Sequence, residues 1–104
     1  MSNFGLSDLD IQELTHILKK YPEVEQAIIF GSRAMGNYRQ GSDIDMTLKG
    51  DALTPKIESK IWNDLEDSNI PYFFDLSIYH FLTTPNFIKH IDEKGKIFYQ
   101  KESS

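Results

Sequence analysis

The stretch Gly31-Ser32-Arg33-Ala34-Met35-Gly36-Asn37-Tyr38-Arg39-Gln40-Gly41-Ser42-Asp43-Ile44-Asp45 sets how the rest of the chain is read. It follows an apolar run, Ala27-Ile28-Ile29-Phe30, whose composition predicts a buried strand. Gly31-Ser32 breaks that strand, and Arg33-Ala34-Met35 can form a helical turn. A strand that breaks into a helix start leaves backbone N–H groups free, which suits an anionic phosphate. Asp43 then opens a second strand, Asp43-Ile44-Asp45-Met46-Thr47-Leu48. Side chains alternate on a strand, so Asp43 and Asp45 share one face while Ile44, Met46 and Leu48 point to the core. Two carboxylates roughly 6.6 Å apart along a strand can converge on hard cations, which a triphosphate needs to react.

Working outward, Ser7 begins a first helix, with Asp10 three residues on in an approximate capping box. Leu6, Leu9, Leu14, Ile17, Leu18 and Tyr21 recur at helical spacing, and Pro22 ends the run. The first strand is expected over 24–30 and the second over 43–48, followed by a turn at Gly50-Asp51. Thr54-Pro55 predicts an N-cap with proline at the first helical position. Ile57, Ile61, Trp62 and Leu65 form the apolar stripe of that helix. A third strand is expected over 72–79. Thr84-Pro85 repeats the helix-start signature, Phe87, Ile88 and Ile91 face inward, and Gly95 caps the end. Lys96-Ile97-Phe98-Tyr99 suits an edge strand, and Lys101 to Ser104 is expected to fray.

Bulk properties bound the function. With 104 residues the chain is expected to form one domain, 1–104, with a modest core. A net charge of −5 argues against broad nucleic-acid binding, which needs a basic footprint. It leaves nucleotide substrates open, because bound cations invert the local charge. The absence of cysteine excludes disulfides, thiolate nucleophiles and thiolate metal sites. No apolar run approaches the ~20 residues of a membrane span. Asp8 and Asp10 stand where a secretory leader would be basic and then apolar, so a cytoplasmic protein is expected.

An isolated Asp-x-Asp is ordinarily the wet face of an edge strand. Aspartate is disfavoured in strands, however, and the upstream Gly-Ser turn supplies a matching phosphate seat. Placed together, the carboxylates should repel and hold their protons more tightly until a cation arrives. Asp75, between Phe74 and Leu76, is a third acid in an apolar strand, and Ser77 shares its face. A charge there is costly to bury unless paired or metal-bound. Gly-Ser is also a common turn pair, and Arg33 and Arg39 are either phosphate clamps or solvated loop charges. Tyr38 is a base-stacking ring or a surface tyrosine. His16, His80 and His90 lack metal-ligand spacing and suit packing or surface roles. The aromatics around Phe73, Phe74 and Tyr79 suit the core. No Gly-Lys-Ser/Thr follows the turn, so it is not a P-loop.

The two-part pattern Gly31-Ser32 with Gly41-Ser42-Asp43-Ile44-Asp45 resembles the DNA polymerase beta-like nucleotidyltransferase superfamily, and the chain's size its minimal nucleotidyltransferase (MNT) branch. The resemblance implies an α+β fold with a mixed β-sheet and helices packed on one side. It implies a catalytic, metal-binding set of Asp43, Asp45 and Asp75, two Mg²⁺ ions, and ATP as donor. Asp43 and Asp45 would hold both ions and Asp75 mainly the one activating the acceptor, with a general-base role for Asp75. Gly31, Ser32, Arg33 and Ser42 are the nucleotide contacts it suggests. It further implies a HEPN-domain partner, with AMP transferred to a tyrosine of that toxin to silence its RNase activity. Two rivals stand beside this: a non-catalytic antitoxin acting by contact alone, and a small-molecule transferase of the aminoglycoside type. A chain this short has no second domain to hold a small acceptor, which weighs against the latter.

Overall fold

The computed structural model describes residues 4–39 and 41–102. Helix α1 (Asp8–Lys19) starts at Ser7, whose hydroxyl accepts from the Asp10 N–H at 3.1 Å. Strand β1 (Gln26–Phe30) leads into the single turn α2 (Ser32–Met35). Strand β2 (Ile44–Lys49) precedes α3 (Pro55–Glu66), which Thr54 caps through the Ile57 N–H at 3.2 Å. Strand β3 (Phe74–Ile78) runs through a 3-10 turn (Tyr79–Phe81) to α4 (Pro85–Lys94) and β4 (Lys96–Gln100). Thr84 sits at the N-cap of α4, yet its hydroxyl makes no capping bond among the described residues, so proline supplies that start.

The sheet order is β3-β2-β1-β4. β1 pairs antiparallel with β2 and β4, whereas β2 and β3 are parallel. The mixed sheet is as expected, and β4 is an edge strand. The parallel pair requires a crossover, and α3 provides it. Alternation divides the strands cleanly. Ala27 and Ile29, with Ile44, Met46, Leu48, Phe74 and Ile78, join Leu14, Ile17 and Leu18 of α1 and Ile61 and Leu65 of α3 in the main core. The two long helices therefore cover one face, as anticipated. The opposite face holds a smaller cluster, in which Ile91 of α4 meets Ile28 and Phe30. β1 is buried on both faces, and α4 is what covers its second side.

Four apolar side chains depart from the sequence expectation, among them Phe87, expected to face inward but 36% exposed. Leu9 is 76% exposed, Trp62 43% and Phe73 74%. Leu9 and Trp62 each lie at the margin of a helical stripe whose centre is already filled, and Phe73 precedes the strand. Gly95 ends α4 as expected, but in extended conformation (φ −66°, ψ 151°) rather than left-handed. A β-carbon there would press on the Ile91 carbonyl and the Ile28 side chain. Lys101 is tied down, its N–H to the Glu25 carbonyl (2.8 Å) and its Nζ to the Pro22 carbonyl (3.1 Å). The fraying expected over Lys101 to Ser104 is therefore not found at Lys101, and 103–104 lie outside the described residues. Among the described residues no helix is long and apolar enough to cross a membrane.

Candidate active site

The face that α4 only partly covers carries the acids. In the parallel register Asp45 stands opposite Asp75, and in the antiparallel register Asp45 stands opposite Phe30. Partners in register share a face, so Asp75 lies on the same side as Asp45. Alternation puts Asp43 on that side too, just before β2 begins. Asp43 and Asp75 are exposed and Asp45 is half-buried. Burial raises the Asp45 proton affinity above the usual carboxylate range, and the charges of Asp75 and then Asp43 add to it. Arg33 and His90 act in the opposite sense.

Gly31 closes the other side of Asp45. Its φ of +74° is a left-handed conformation that favours glycine, and a β-carbon there would collide with the Asp45 carboxylate. The turn that ends β1 and the acid on β2 thus occupy one small space. Ser32, half-buried, follows at the start of α2. The donor set is all carboxylate oxygen, which suits a hard divalent cation, and Gly31 keeps the space beside Asp45 clear. Among the described residues no three acid or histidine groups already converge as an ion cage. Mutual repulsion of three carboxylates opposes such convergence in the absence of a cation.

Arg33 is placed otherwise than the sequence suggests. It is only 2% exposed. Its Nε donates to the Ser42 carbonyl (3.1 Å) and the Asp43 carbonyl (3.3 Å), Nη2 to the Ser42 carbonyl (2.6 Å), and Nη1 to the Phe4 carbonyl (2.7 Å). The guanidinium also lies against the rings of Tyr72 (4.4 Å) and Tyr38 (5.4 Å). Its donors hold backbone rather than facing a phosphate, because the loop carbonyls would otherwise be buried without partners. Arg33 is a positioning residue for the entry into β2. The Ser42 hydroxyl likewise closes the loop, accepting from the Arg39 N–H at 2.9 Å. Tyr38 lies against Arg33 with part of its ring exposed, and Arg39 is exposed.

His90 takes the packing role expected of it. Its ring packs edge-on against Phe30 with centroids 6.4 Å apart, and Phe87 does the same at 5.3 Å. The i, i+3, i+4 spacing of Phe87, His90 and Ile91 was a legible helical face. That this face turns toward Asp45 depends on α4 crossing to the far side of the sheet. Ser77 does share the face of Asp75, but its Oγ is buried without a hydrogen-bond partner among the described residues.

A mixed four-stranded sheet with a glycine turn at the end of one strand and three aspartates on one face defines a nucleotidyltransferase fold. The family model described as "Polymerase beta, Nucleotidyltransferase" matches residues 12–104, and the chain belongs to that family. A toxin–antitoxin crystal structure with AMP-PNP has a TM-score of 0.70 at 18% identity, over 88% of this chain and 74% of the other. A tri-AMPylated Shewanella oneidensis HEPN toxin in complex with MNT antitoxin gives a TM-score of 0.67 at 16% identity, over 92% and 74% of the two chains. The toxin–antitoxin MntA-HepT gives 0.66 at 16% identity, over 91% and 74%. At these identities the likeness is one of fold. A search of curated protein sequences returned no match.

Proposed function

We propose that this chain is a nucleotidyltransferase-type antitoxin that transfers AMP from ATP to a tyrosine hydroxyl of a HEPN-type toxin. The observation that carries the reading is the facing register of Asp45 and Asp75 beside Gly31. Family membership supports the reaction class. The AMP-PNP and AMPylated-toxin complexes of structures with this fold support the donor and the partner.

In this reading Gly31 and Ser32 receive the phosphate tail. The carboxylates of Asp43, Asp45 and Asp75 would hold Mg²⁺, which when bound neutralises phosphate charge and polarises the reacting oxygens. The acceptor oxygen forms a bond to the α-phosphorus, and the bond from that phosphorus to the bridging β-phosphate oxygen breaks. The electron pair leaves with pyrophosphate, and the hydroxyl proton passes to Asp75, whose exposed position lets an incoming acceptor reach it. Arg33 keeps the Ser42–Asp43 backbone in place while this happens.

The test is co-purification of the partner from the native cell, followed by incubation with ATP and Mg²⁺ and intact-mass analysis. The expected result is addition of one or more AMP masses to the partner, absent with Asp45→Asn. An unmodified partner at saturating ATP would overturn it. Inhibition that survives Asp43→Asn with Asp45→Asn would instead favour an antitoxin acting by contact.

A further inference from the structure

We propose that His90 is a phosphate-contacting residue, its imidazole N–H donating to the triphosphate tail held between the Gly31 turn and Asp45. The inference rests on the nucleotide reading above and adds a binding group to it. Arg33, the obvious cation next to the turn, is turned inward onto the carbonyls of Phe4, Ser42 and Asp43. Lys49 lies over the Tyr79 ring at 4.3 Å, at the other end of β2. Ser32 and the exposed Arg39 stand on the loop side of the acids, so a donor on the opposite side comes from the element packed across the sheet.

α4 brings one. Ile91 anchors the helix against Ile28 and Phe30. The preceding residue, His90, is half-buried with its ring against Phe30. Phe30 adjoins Gly31 in sequence and faces Asp45 in register. The His90 ring thus lies against the residue that links the Gly31 turn to the register position of Asp45. Among the described residues the imidazole makes no hydrogen bond or ion pair, with Asp45 or otherwise. A neutral imidazole keeps one N–H donor, so the contact requires no change of charge.

The test reads the histidine rings directly. Imidazole NMR signals of the intact chain are followed during titration with ATP and Mg²⁺, and His90→Gln identifies the His90 signal. We expect that signal to move while those of the exposed His16 and His80 stay. We expect His90→Ala to weaken ATP binding about tenfold and His90→Asn, which keeps a donor, to recover part of it. ATP binding with a stationary His90 signal, or undiminished affinity in His90→Ala with the fold intact, overturns the proposal and leaves the nucleotide reading standing. No ATP binding by the unmodified chain overturns both.

Discussion

Asp45 and Asp75 face each other across the parallel β2–β3 pair, and the first of them is half-buried while the second is exposed. The pair is therefore unequal, with Asp45 the member that resists ionisation. A raised carboxyl pKa in the folded chain means that the folded state holds its proton more tightly. Its stabilising effect is present below the ordinary carboxylate range and is lost as pH rises through the raised value. At neutral pH Asp45→Asn should accordingly raise Tm by a few degrees, on the order expected for a small stability gain. The gain should vanish on acidification, where Asp45 is itself neutral. AMP transfer should be abolished. Thermal unfolding at both pH values, alongside a transfer assay, checks the three outcomes.

The same repulsion predicts a response to divalent ions that does not involve turnover. Millimolar Mg²⁺ should raise Tm of the unmodified chain, since an ion bound only to the folded state stabilises it by mass action. The rise should be lost with EDTA and be absent in Asp45→Asn. Equal shifts in both chains would place the ion elsewhere.

Gly31→Ala combines a left-handed backbone with a collision at the Asp45 carboxylate. The expected cost is about 2 kcal/mol from the backbone alone. ATP binding should fall together with stability, because Asp45 must move. Denaturant unfolding and equilibrium ATP binding measure the two effects.

Arg33→Lys preserves charge but not the fork that serves three carbonyls. A loss of about 1 kcal/mol is expected for part-buried carbonyls that lose their donor. Hydrogen exchange should quicken first at the amides near Ser42 and Asp43. Unchanged stability in the Arg33→Lys variant, with weakened ATP binding, would instead make Arg33 a direct phosphate ligand.

The residues just after α1 are joined to α3 by the Tyr21 hydroxyl, which donates to Asp64 at 2.5 Å, with Lys20 on the same carboxylate at 3.0 Å. Burial, then the Asp64 hydrogen bond, pushes the Tyr21 phenol up to about 12, while the Tyr21 and Lys20 hydrogen bonds hold Asp64 low. Both groups therefore stabilise the fold across neutral pH. Tyr21 loses its contribution as pH rises from its ordinary value of 10.0 through about 12. Asp64 loses its contribution as pH falls through its lowered value. Tyr21→Phe should cost about 1 kcal/mol at neutral pH, after allowance for solvent exposure. The deficit should shrink as pH rises from 10.0 toward about 12 and Tyr21 ionises beside Asp64.

Periodicity made the strands and long helices legible because those elements obey local rules: caps at Ser7 and Thr54, alternation at Ile44, Met46 and Leu48. The face shared by Asp43 and Asp45 was equally local. Asp75 required the family pattern, since nothing in its own neighbourhood fixes which strand lies beside it. Arg33 defeated sequence reading because an arginine beside a glycine turn looks alike whether it points to a ligand or to carbonyls. The distinction lies in Phe4 and Ser42, which are remote in sequence from each other. The side of the sheet taken by α4, and hence the place of His90, is likewise set by tertiary contact with Ile28 and Phe30.

The guanidinium that grips Phe4 at one end and Ser42 and Asp43 at the other makes the beginning of the chain a mechanical neighbour of its acidic strand. A tag, a binding protein or a protease that pulls at the amino-terminal arm would tug on the loop that leads into Asp43 and Asp45, even though it touches neither carboxylate.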